Sequence, residues 1–509
     1  MSVALTTTDA SPRAPRTDTL ADTVIFLLAL TAVQRLVGFA RSVLFCRWLD
    51  PLELGEWDLA FGFLLLAAPL TLLGLPGSFG RYVEFYRQRG QLRSFLSKAT
   101  LISALLATCG VSVVAMNSGW FSHLVFGRPD RIELVRLLAA GLCVVIVYNF
   151  LMELFTALRM FRVVSGLQFA HSLAFAVVGG GLLFGWQSSA ASVVLAYSAA
   201  CLLCMSAAIF WLRRMWHALP RAAAPLSHRE LLVKLMPFAV WMWVTNWLSN
   251  LFDVADRYML IHYSGLDSAT ALAQVGNYHS SRVVPILLVS IAAMLANATL
   301  PHMSHDWETG RRTAVSQRVN LMLKLMGFAS LLGASIILLA APILFDYAFQ
   351  GKYSGGLAVL PWTLVYCVWF GLVGLAQNYL WCAEKAGLGS LAVLAGVLVN
   401  IGLNLVLLPR YGLHGAVLAT VAANFVAFTL TCLLAHLCGL RFDSGMWIIA
   451  LLPPLLALGP GPMLAVLCVL AAWAACGNGL LSGEDRRQLS NVWRDYTARW
   501  REKPVVEGA

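Results

Sequence analysis

The run GLGSLAVLAGVLVNIGLNLVLL (387–408), the connection PRYG (409–412) and the run LHGAVLATVAANFVAFTLTCLLAHLC (413–438) together contain one Asp, Glu, Lys or Arg residue, Arg410. Each run exceeds the roughly 20 residues that a helix needs to cross a hydrocarbon core about 30 Å thick. A helix also satisfies its own backbone hydrogen bonds, which lipid cannot do. This stretch therefore predicts two membrane-spanning helices joined by a short turn.

The same pattern extends over most of the 509 residues. Hydrophobic residues make up 59% of the chain, charged residues only 12%, and the mean hydropathy is +0.75. Soluble domains average about 25% charged residues, so this composition excludes a soluble fold. We predict an all-α polytopic membrane protein with about fourteen spans. They lie at 22–48, 56–80, 98–118, 132–157, 164–186, 190–212, 235–263, 272–297, 319–345, 355–381, 387–408, 413–438, 445–459 and 461–481.

The basic residues between the spans predict the orientation. With a cytoplasmic N-terminus, seventeen Lys and Arg residues fall in inner loops and four in outer loops. The four in outer loops are Arg128, Arg131, Lys352 and Arg410. Cytoplasmic loops of membrane proteins are enriched in Lys and Arg. We therefore expect both termini to be cytoplasmic, and a shift of one span would remove the asymmetry.

An internal repeat with an offset near 220 residues predicts two similar halves. The segment FSHLVFGRPDRIELVRLL (121–138) resembles PILFDYAFQGKYSGGLAVLPW (342–362), and GEW (55–57) recurs as GNY (276–278). Because six helices precede the repeat, both halves share one orientation, with a pseudo-twofold axis along the membrane normal. The predicted units are a tail (1–21), a six-helix lobe (22–214), a cytoplasmic linker (215–234), a second six-helix lobe (235–440), two added spans (441–482) and a cytoplasmic tail (483–509).

Ionisable residues inside the spans are the strongest indication of a functional site, since each costs about 2.5–3.5 kcal/mol at a helix centre. The predicted substrate-binding residues are Arg35, Arg41, Arg257 and Arg282, and the predicted coupling residues are Asp253 and Asp256. Four arginines outnumber these two aspartates, and an excess of guanidinium in a cavity suits an anion such as pyrophosphate. The alternative interpretation is a set of internal salt bridges, above all between Asp253 and Arg257, which are spaced i,i+4.

Several kinds of chemistry are not expected from the sequence. It contains no GxxxxGK[ST] phosphate-binding motif, so transport energy is expected from an ion gradient, the membrane potential or metabolism of the substrate. The eleven cysteines are interpreted as small buried apolar residues. We expect no metal site, no cofactor, no catalytic residue and no nucleic-acid partner. A membrane-embedded glycosyltransferase or ligase is the enzyme alternative, and the short outer loops with no acidic motif argue against it.

Several motifs resemble those of the bacterial polysaccharide-biosynthesis flippases, within the multidrug/oligosaccharidyl-lipid/polysaccharide exporter superfamily. The matching stretches are RLVGFARSVLFCRWLDPLELGEW (35–57), LLGLPGSFGRYV (72–83), DRYMLIHYSG (256–265), AFQGKYSGG (348–356) and NIGLNLVLLPRYGLHGAVLAT (400–420). The resemblance implies a V-shaped central cavity and alternating access. It also implies undecaprenyl-pyrophosphate-linked sugars as substrate, for lipopolysaccharide or exopolysaccharide, at the bacterial inner membrane. Membrane lipids and glycosyltransferases or a polymerase of the same pathway are the implied partners.

Two relatives of that family remain as alternatives. The pattern RxxGFAR at Arg35 and Arg41 is similar to the first helix of the lipid II flippases, where such arginines line a cationic cavity. The second span departs from that group, because it reads AAPLTLLGLPGSFGRYV (67–83) where those proteins have PN-x-x-R. A flippase of lipid II or teichoic-type precursors, and an ion-coupled exporter of small cations or drugs, are therefore secondary hypotheses.

Overall fold

The computed structural model describes residues 20–218, 227–477, 479–488, 490 and 494, and within these ranges the chain is helical and has no strand. Sixteen α-helices are described. They are α1 (Leu20–Trp48), α2 (Pro51–Leu72), α3 (Phe79–Gln88), α4 (Leu92–Met116), α5 (Ser118–Phe126), α6 (Ile132–Ala157), α7 (Phe161–Gly185), α8 (Ala190–Ala218), α9 (His228–Tyr263), α10 (Ser268–Arg282), α11 (Pro285–Glu308), α12 (Arg312–Ile343), α13 (Ser354–Cys382), α14 (Ala386–Leu437), α15 (Ser444–Ala450) and α16 (Pro460–Cys476). Most of both predicted tails, and residues 219–226 of the linker, lie outside the described residues.

Ten of the described helices are long and apolar enough to cross a membrane, namely α1, α2, α4, α6, α7, α8, α11, α12, α13 and α14. Helix α9 has 36 residues but is not among the ten. It carries Asn246, Asn250, Asp253, Asp256 and Arg257 within about three turns. The chain is thus an all-helical polytopic membrane protein, while the count of fourteen spans stays a prediction.

The segment quoted at the outset forms two helices that fold back on each other. The helical run of α14 contains one residue with non-helical geometry, Gly412, with φ 53° and ψ −128°. On either side of it, Asn400 Nδ2 donates to Thr420 Oγ1 at 3.1 Å. A Cβ at Gly396 would lie 3.1 Å from the Cβ of Ala427. Glycine reaches a positive φ without the steric cost that a Cβ brings, so the turn can be this tight.

Several span boundaries differ from the predicted ones for local reasons. The second span was predicted at 56–80, but α2 starts at Pro51 and ends at Leu72, because Leu73 and Gly74 both have positive φ. The eighth was predicted as one helix over 272–297. The structure divides this region into α10 and α11, with the break at Val283 and Val284, because Pro285 has no backbone N–H to donate to the preceding turn and its ring crowds that turn.

The thirteenth predicted span, 445–459, is divided as well. Helix α15 has seven residues and is followed by a 3₁₀ helix, Pro453–Leu458. Two consecutive prolines cannot continue an α-helix because each removes a backbone donor and its ring clashes with the preceding turn. This region and α16 are apolar but shorter than the ten long helices.

Helix α2 connects the two halves of the chain. It packs against α6 and α8 in its own half and against α9 and α10 in the other. The contact with α10 is reciprocal: a Cβ at Gly55 would lie 2.0 Å from the Leu272 carbonyl oxygen, and one at Gly276 would lie 1.9 Å from that of Pro51. Only glycine permits this approach of two backbones. The two glycines occupy the same place in the repeated GEW and GNY motifs.

The C-terminal helices are held by a buried lysine. Lys324 on α12 is 1% exposed, and its Nζ lies 2.6 Å from Asp443 Oδ2 and 2.5 Å from Asp485 Oδ2. Asp443 also accepts a hydrogen bond from the Met446 amide and so caps α15. A buried charge needs partners of this kind to offset its loss of hydration. The pair of aspartates therefore fixes α15 and the chain after α16 to the second half.

Candidate functional site

Helices α9 and α10 carry four of the six predicted site residues. Asp253, Asp256 and Arg257 lie on α9, and Arg282 is the last residue of α10. Helix α10 begins at an N-cap aspartate, Asp267, whose carboxylate accepts a hydrogen bond from the Thr270 amide at 3.1 Å. Hydrogen bonding from the side chain and the amide of Thr270 lowers the pKa of the Asp267 carboxyl, because it favours the charged form. The cap and the break before Pro285 set the length of α10 and thereby the position of Arg282.

Arg257 is neutralised by an aspartate that the sequence interpretation did not include. Its side chain is 4% exposed, and Nη1 lies 3.2 Å from both carboxylate oxygens of Asp58 on α2. Nη2 donates to the backbone oxygen of Asp253 at 2.7 Å and lies 3.5 Å from its carboxylate. The i,i+4 pair of Asp253 and Arg257 is therefore present, but the principal charge partner comes from the other half.

Asp58 also binds His279, and this pair spans the two halves. The distance between His279 Nδ1 and Asp58 Oδ1 is 2.7 Å. Asp58 is 3% exposed, so its charge needs these partners. The repeat could have identified the pair, because Asp58 follows GEW and His279 follows GNY. The count of two aspartates against four arginines was wrong in this respect, since Asp58 is a third acid.

Arg282 and Arg257 are linked by Asp253. Arg282 Nη2 donates to Asp253 Oδ1, and the guanidinium carbon lies 5.7 Å from the centre of the Tyr278 ring. The Asp253 side chain is 46% exposed, so it is the accessible member of this chain of charges. The structure therefore brings Arg257 and Arg282 together, and both are in ion pairs.

Asp256 lies in the wall of a small cavity. It is 2% exposed, and its Oδ2 accepts a hydrogen bond from Thr420 Oγ1 at 3.1 Å. Thr420 also accepts from Asn400, so the α14 turn positions this polar group against α9. The cavity measures about 80 Å³. Its polar lining consists of Asp253, Asp256, Tyr278, Arg282, Tyr366, Thr420 and Asn424.

The two arginines of α1 have different surroundings. The guanidinium of Arg41 lies 4.2 Å from the centre of the Phe175 ring and 6.0 Å from that of Phe45. Arg41 is half-buried, whereas Arg35 is exposed. Neither has a carboxylate within salt-bridge distance in the part of the chain that the structure describes. The structure thus separates the four arginines into an ion-paired set on α9 and α10 and a set on α1 without acid partners.

A larger chamber lies between α2, α6, α7 and α8 of the first half and α9 of the second. Its volume is about 420 Å³. The polar residues that line it are Tyr148, Asn149, Glu153, Gln168, Tyr197, Trp243, Asn246 and Asn250. Trp243 Nε1 is buried and makes no hydrogen bond within the described structure. Behind this wall, the His171 ring stacks on Tyr148 at 5.0 Å, and its Nε2 lies 3.3 Å from Cys201 Sγ.

The chamber combines amides, phenols and an indole with one carboxylate, Glu153. Side-chain amides both donate and accept hydrogen bonds, and aromatic rings offer flat apolar faces with a polar edge. Such a lining suits a ligand with many hydroxyl or amide groups and little charge. None of these lining residues is among the predicted substrate-binding or coupling residues.

Comparison with solved structures shows a fold shared with transporters. A lipid II flippase, MurJ, in an inward closed conformation superposes with a TM-score of 0.67 at 14% identity, covering 88% of this chain and 92% of that one. An inward-facing multidrug resistance transporter of the MATE family, in the MOP superfamily, gives 0.64 at 14% identity, covering 79% and 94%. A MOP superfamily transporter from Pyrococcus furiosus, described as having a binding pocket of reverse polarity, gives 0.56 at 14% identity over 81% and 95%. At this identity the likeness concerns the fold.

Two curated relatives match part of the sequence. The uncharacterized membrane protein YabM of Bacillus subtilis is 28% identical over 206 residues, which are 40% of this chain and 38% of that protein. The uncharacterized membrane protein MJ1068 of Methanocaldococcus jannaschii is 21% identical over 241 residues, 46% of this chain and 45% of the relative. The chain thus spans less than half the length of these relatives.

The family comparison covers more of the chain than either relative does. The model of a family described as polysaccharide biosynthesis protein matches residues 20–307, from α1 to the end of α11. This range includes the chamber, the charged residues of α9 and α10, and Asp58. The helical membrane fold and its transporter neighbours agree with that match. The chain therefore belongs to the polysaccharide biosynthesis protein family.

Proposed function

We propose that the protein moves polyprenyl-pyrophosphate-linked oligosaccharide or polysaccharide precursors across the bacterial inner membrane by alternating access. The observation that carries this proposal is the 420 Å³ chamber between the halves, with its lining of amides, aromatic rings and one acid. The amides and phenols of this lining can both donate to and accept from the hydroxyls of a sugar chain. Glycosyltransferases or a polymerase of the same pathway would supply and remove the glycan.

In this proposal the two groups of arginines have different tasks. Arg35 and Arg41 on α1 have no acid partner among the described residues and hold the pyrophosphate, whose charge guanidinium binds through paired N–H donors. The sugar occupies the hydrated chamber, and the polyprenyl tail stays in lipid. Arg257 and Arg282 bind substrate only when their aspartate partners move away.

Coupling to an ion is assigned to Asp253 and Asp256. Asp253 is the accessible acid between two arginines, and Asp256 is buried beside a small polar cavity. Acidic residues inside membrane spans are typical of ion pathways. Inserting a charge into the membrane costs free energy, so such residues occur mainly where they have a function. An ion or proton that exchanges with an arginine at Asp253 would change the charge between α9 and α10 during the cycle.

A second candidate function rests on Glu153. It is the one charged residue among those that line the chamber, and no salt bridge to it is described. A lone carboxylate facing a cavity with aromatic walls suits an organic cation. Export of small cations or drugs is therefore the alternative to test beside glycan transport.

The test is a deletion strain complemented with chosen variants. Lipid-linked glycan should accumulate on the inner leaflet of the deletion strain, and the wild-type gene should restore its surface display. Substitution of Asn149 and Asn246 by alanine together should lower display, because these amides contact the sugar in the proposal. The Glu153→Gln variant separates the two functions. If that change abolishes resistance to a cationic drug while glycan display is normal in every strain, the cation exporter is the correct function.

A further inference from the structure

Asp58 belongs to the first half of the chain, and its carboxylate bonds basic side chains of the second half. Its two strong partners, Arg257 and His279, lie on α9 and α10, whereas Asp58 lies on α2. The neighbouring acid Glu56 behaves differently, because its Oε1 accepts from Arg131 Nε at 2.7 Å within the first half. Asp58 thus makes a buried ion pair that joins α2 to the second half of the chain.

The position of Asp58 makes this contact sensitive to separation of the halves. Asp58 and His279 are 221 residues apart, the same separation as Gly55 and Gly276, which meet one turn away. Equivalent residues of two related helices meet each other only where those helices cross a shared axis. When α2 and α10 part, Asp58 leaves Arg257 and His279 in the same movement.

One N–H donor of Arg257 makes no hydrogen bond in the described structure. Its Nη2 is occupied by Asp253 and its Nη1 by Asp58, while Nε is buried without a hydrogen bond in the described structure. A buried guanidinium N–H without an acceptor is costly, so Nε is available to an anion that reaches Arg257. A phosphate group presents three oxygens and can bind Nε and Nη together, which a carboxylate shared with His279 does not do here.

We propose that Asp58 is a removable counter-ion that takes the place of a phosphate group. With α2 and α10 together, it neutralises Arg257, bonds His279 and closes the contact between the halves. With the halves apart, the same two side chains form an anion site that binds the diphosphate of the substrate before release. Asp253 lies between Arg257 and Arg282, so Arg282 adds a second guanidinium next to this site. The identity of the anion rests on the proposed function.

The experiment measures opening and anion binding on the purified full chain in lipid nanodiscs. Leu272 is buried in the contact of α2 with α10, so a Leu272→Cys reporter reacts with a charged maleimide only when the halves part. Peptide mass spectrometry follows the reaction at that position. Inorganic pyrophosphate should accelerate it saturably with Asp58 intact, and inorganic phosphate should do so less. Asp58→Asn should raise the labelling rate about tenfold, because it removes a buried ion-pair partner.

Calorimetry then tests the anion site directly. Asp58→Asn should bind inorganic pyrophosphate about tenfold more tightly, since the competing carboxylate is gone, and adding Arg257→Gln should abolish that binding. The matched control is Glu56→Gln, which removes a buried acid of the same helix and should change neither quantity.

The proposal would be contradicted if Glu56→Gln raised the labelling rate of Leu272→Cys as much as Asp58→Asn does. It would also be contradicted if pyrophosphate did not accelerate labelling of the chain with Asp58 intact and did not bind Asp58→Asn more tightly. The labelling of the chain with Asp58 intact decides the matter if Asp58→Asn fails to fold. None of these readouts uses glycan export, so a failed anion site is distinguishable from a failed assignment of the substrate.

Discussion

Arg41 occupies an environment in which its charge has no carboxylate partner among the described residues. Its guanidinium lies against the Phe175 ring at 4.2 Å, an arrangement that offsets part of the desolvation of a cation. An arginine held this way is suited to bind an anion that comes and goes.

Alanine at position 41 should abolish glycan export while the protein remains inserted and abundant. Lysine should restore part of the export, because it keeps the charge but loses the paired N–H donors. Surface-glycan display and a membrane-fraction immunoblot check both variants. Arg47→Ala serves as control, since Arg47 is exposed near the end of the same helix and bonds only a backbone oxygen in the described structure. Normal export by an abundant Arg41→Ala variant would disprove the cationic site on α1.

A substitution at Asp256 tests whether this residue couples transport to an ion. Asp256→Asn should slow transport and change its dependence on pH or sodium, because a neutral amide cannot exchange ions as a carboxylate does. The measurement is substrate uptake or glycan display across imposed ion gradients. Asp267→Asn is the matched control, since Asp267 caps α10 at its exposed end. An ion profile identical to that of the unmodified protein would leave Asp256 with a structural role only.

Among the elements, the contact between α2 and α10 depends on the absence of side chains. A Cβ at Gly276 would lie 1.9 Å from the Pro51 oxygen, so the two backbones must move apart to accept it. Gly276→Ala should destabilise the closed contact by about 1–3 kcal/mol, the usual cost of overpacking. A lower midpoint of thermal unfolding and faster labelling of Leu272→Cys would show this. Gly166→Ala on α7 is the control, because nothing lies within 4 Å of its added Cβ, and an equal effect there would exclude the steric explanation.

The ion pairs of Lys324 attach the two short C-terminal helices, α15 and α16, to the rest of the structure. Lys324→Met leaves Asp443 and Asp485 without their shared cation, which should cost about 3–5 kcal/mol. Limited proteolysis should then cut between α16 and the tail, and the unfolding midpoint should fall. Adding Asp443→Asn and Asp485→Asn should recover much of the loss, since no unpaired charge remains. The control Lys385→Met removes an exposed lysine and should leave both readouts unchanged.

At the scale of the whole molecule, the asymmetry of basic residues predicts the side on which each loop lies. Single cysteines at positions 267 and 352 should react with an impermeant thiol reagent in intact cells, while one at position 221 should not. The same cysteines in opened membranes control for intrinsic reactivity. Labelling at 221 with none at 267 would reverse the predicted orientation.

The helices were largely predictable because lipid imposes a simple requirement. An apolar run of about 20 residues has no other way to satisfy its backbone, so hydropathy alone places α4, α6 and α13 to within a few residues, apart from a start of α4 that lies six residues earlier. The errors occur where a local feature overrides hydropathy. Pro285 divides one predicted span, and positive φ at Leu73 and Gly74 ends another before its apolar residues do.

The candidate site was only partly predictable. The cost of burying charge identified Asp253, Asp256, Arg257 and Arg282, and the structure places all four within one group of contacts. Hydropathy did not identify Asp58, although the repeat pairs its position with that of His279. The interpretation of the four arginines as one anion site therefore did not count Asp58 among the acids that neutralise them.

The sequence by itself determined that the chain crosses a membrane many times, that its ionisable groups face protein or water, and that it resembles flippases. The first two conclusions follow from local quantities, since hydropathy and insertion cost depend on each segment alone. The third follows from motifs that are similar to those of a known family. Only the tertiary structure decided which charges neutralise each other and which line a chamber. Those facts depend on helices far apart in sequence: Asp58 meets His279 across 221 residues, and the chamber needs walls from both halves. No local pattern encodes such a distance, because it is set by how the helices pack.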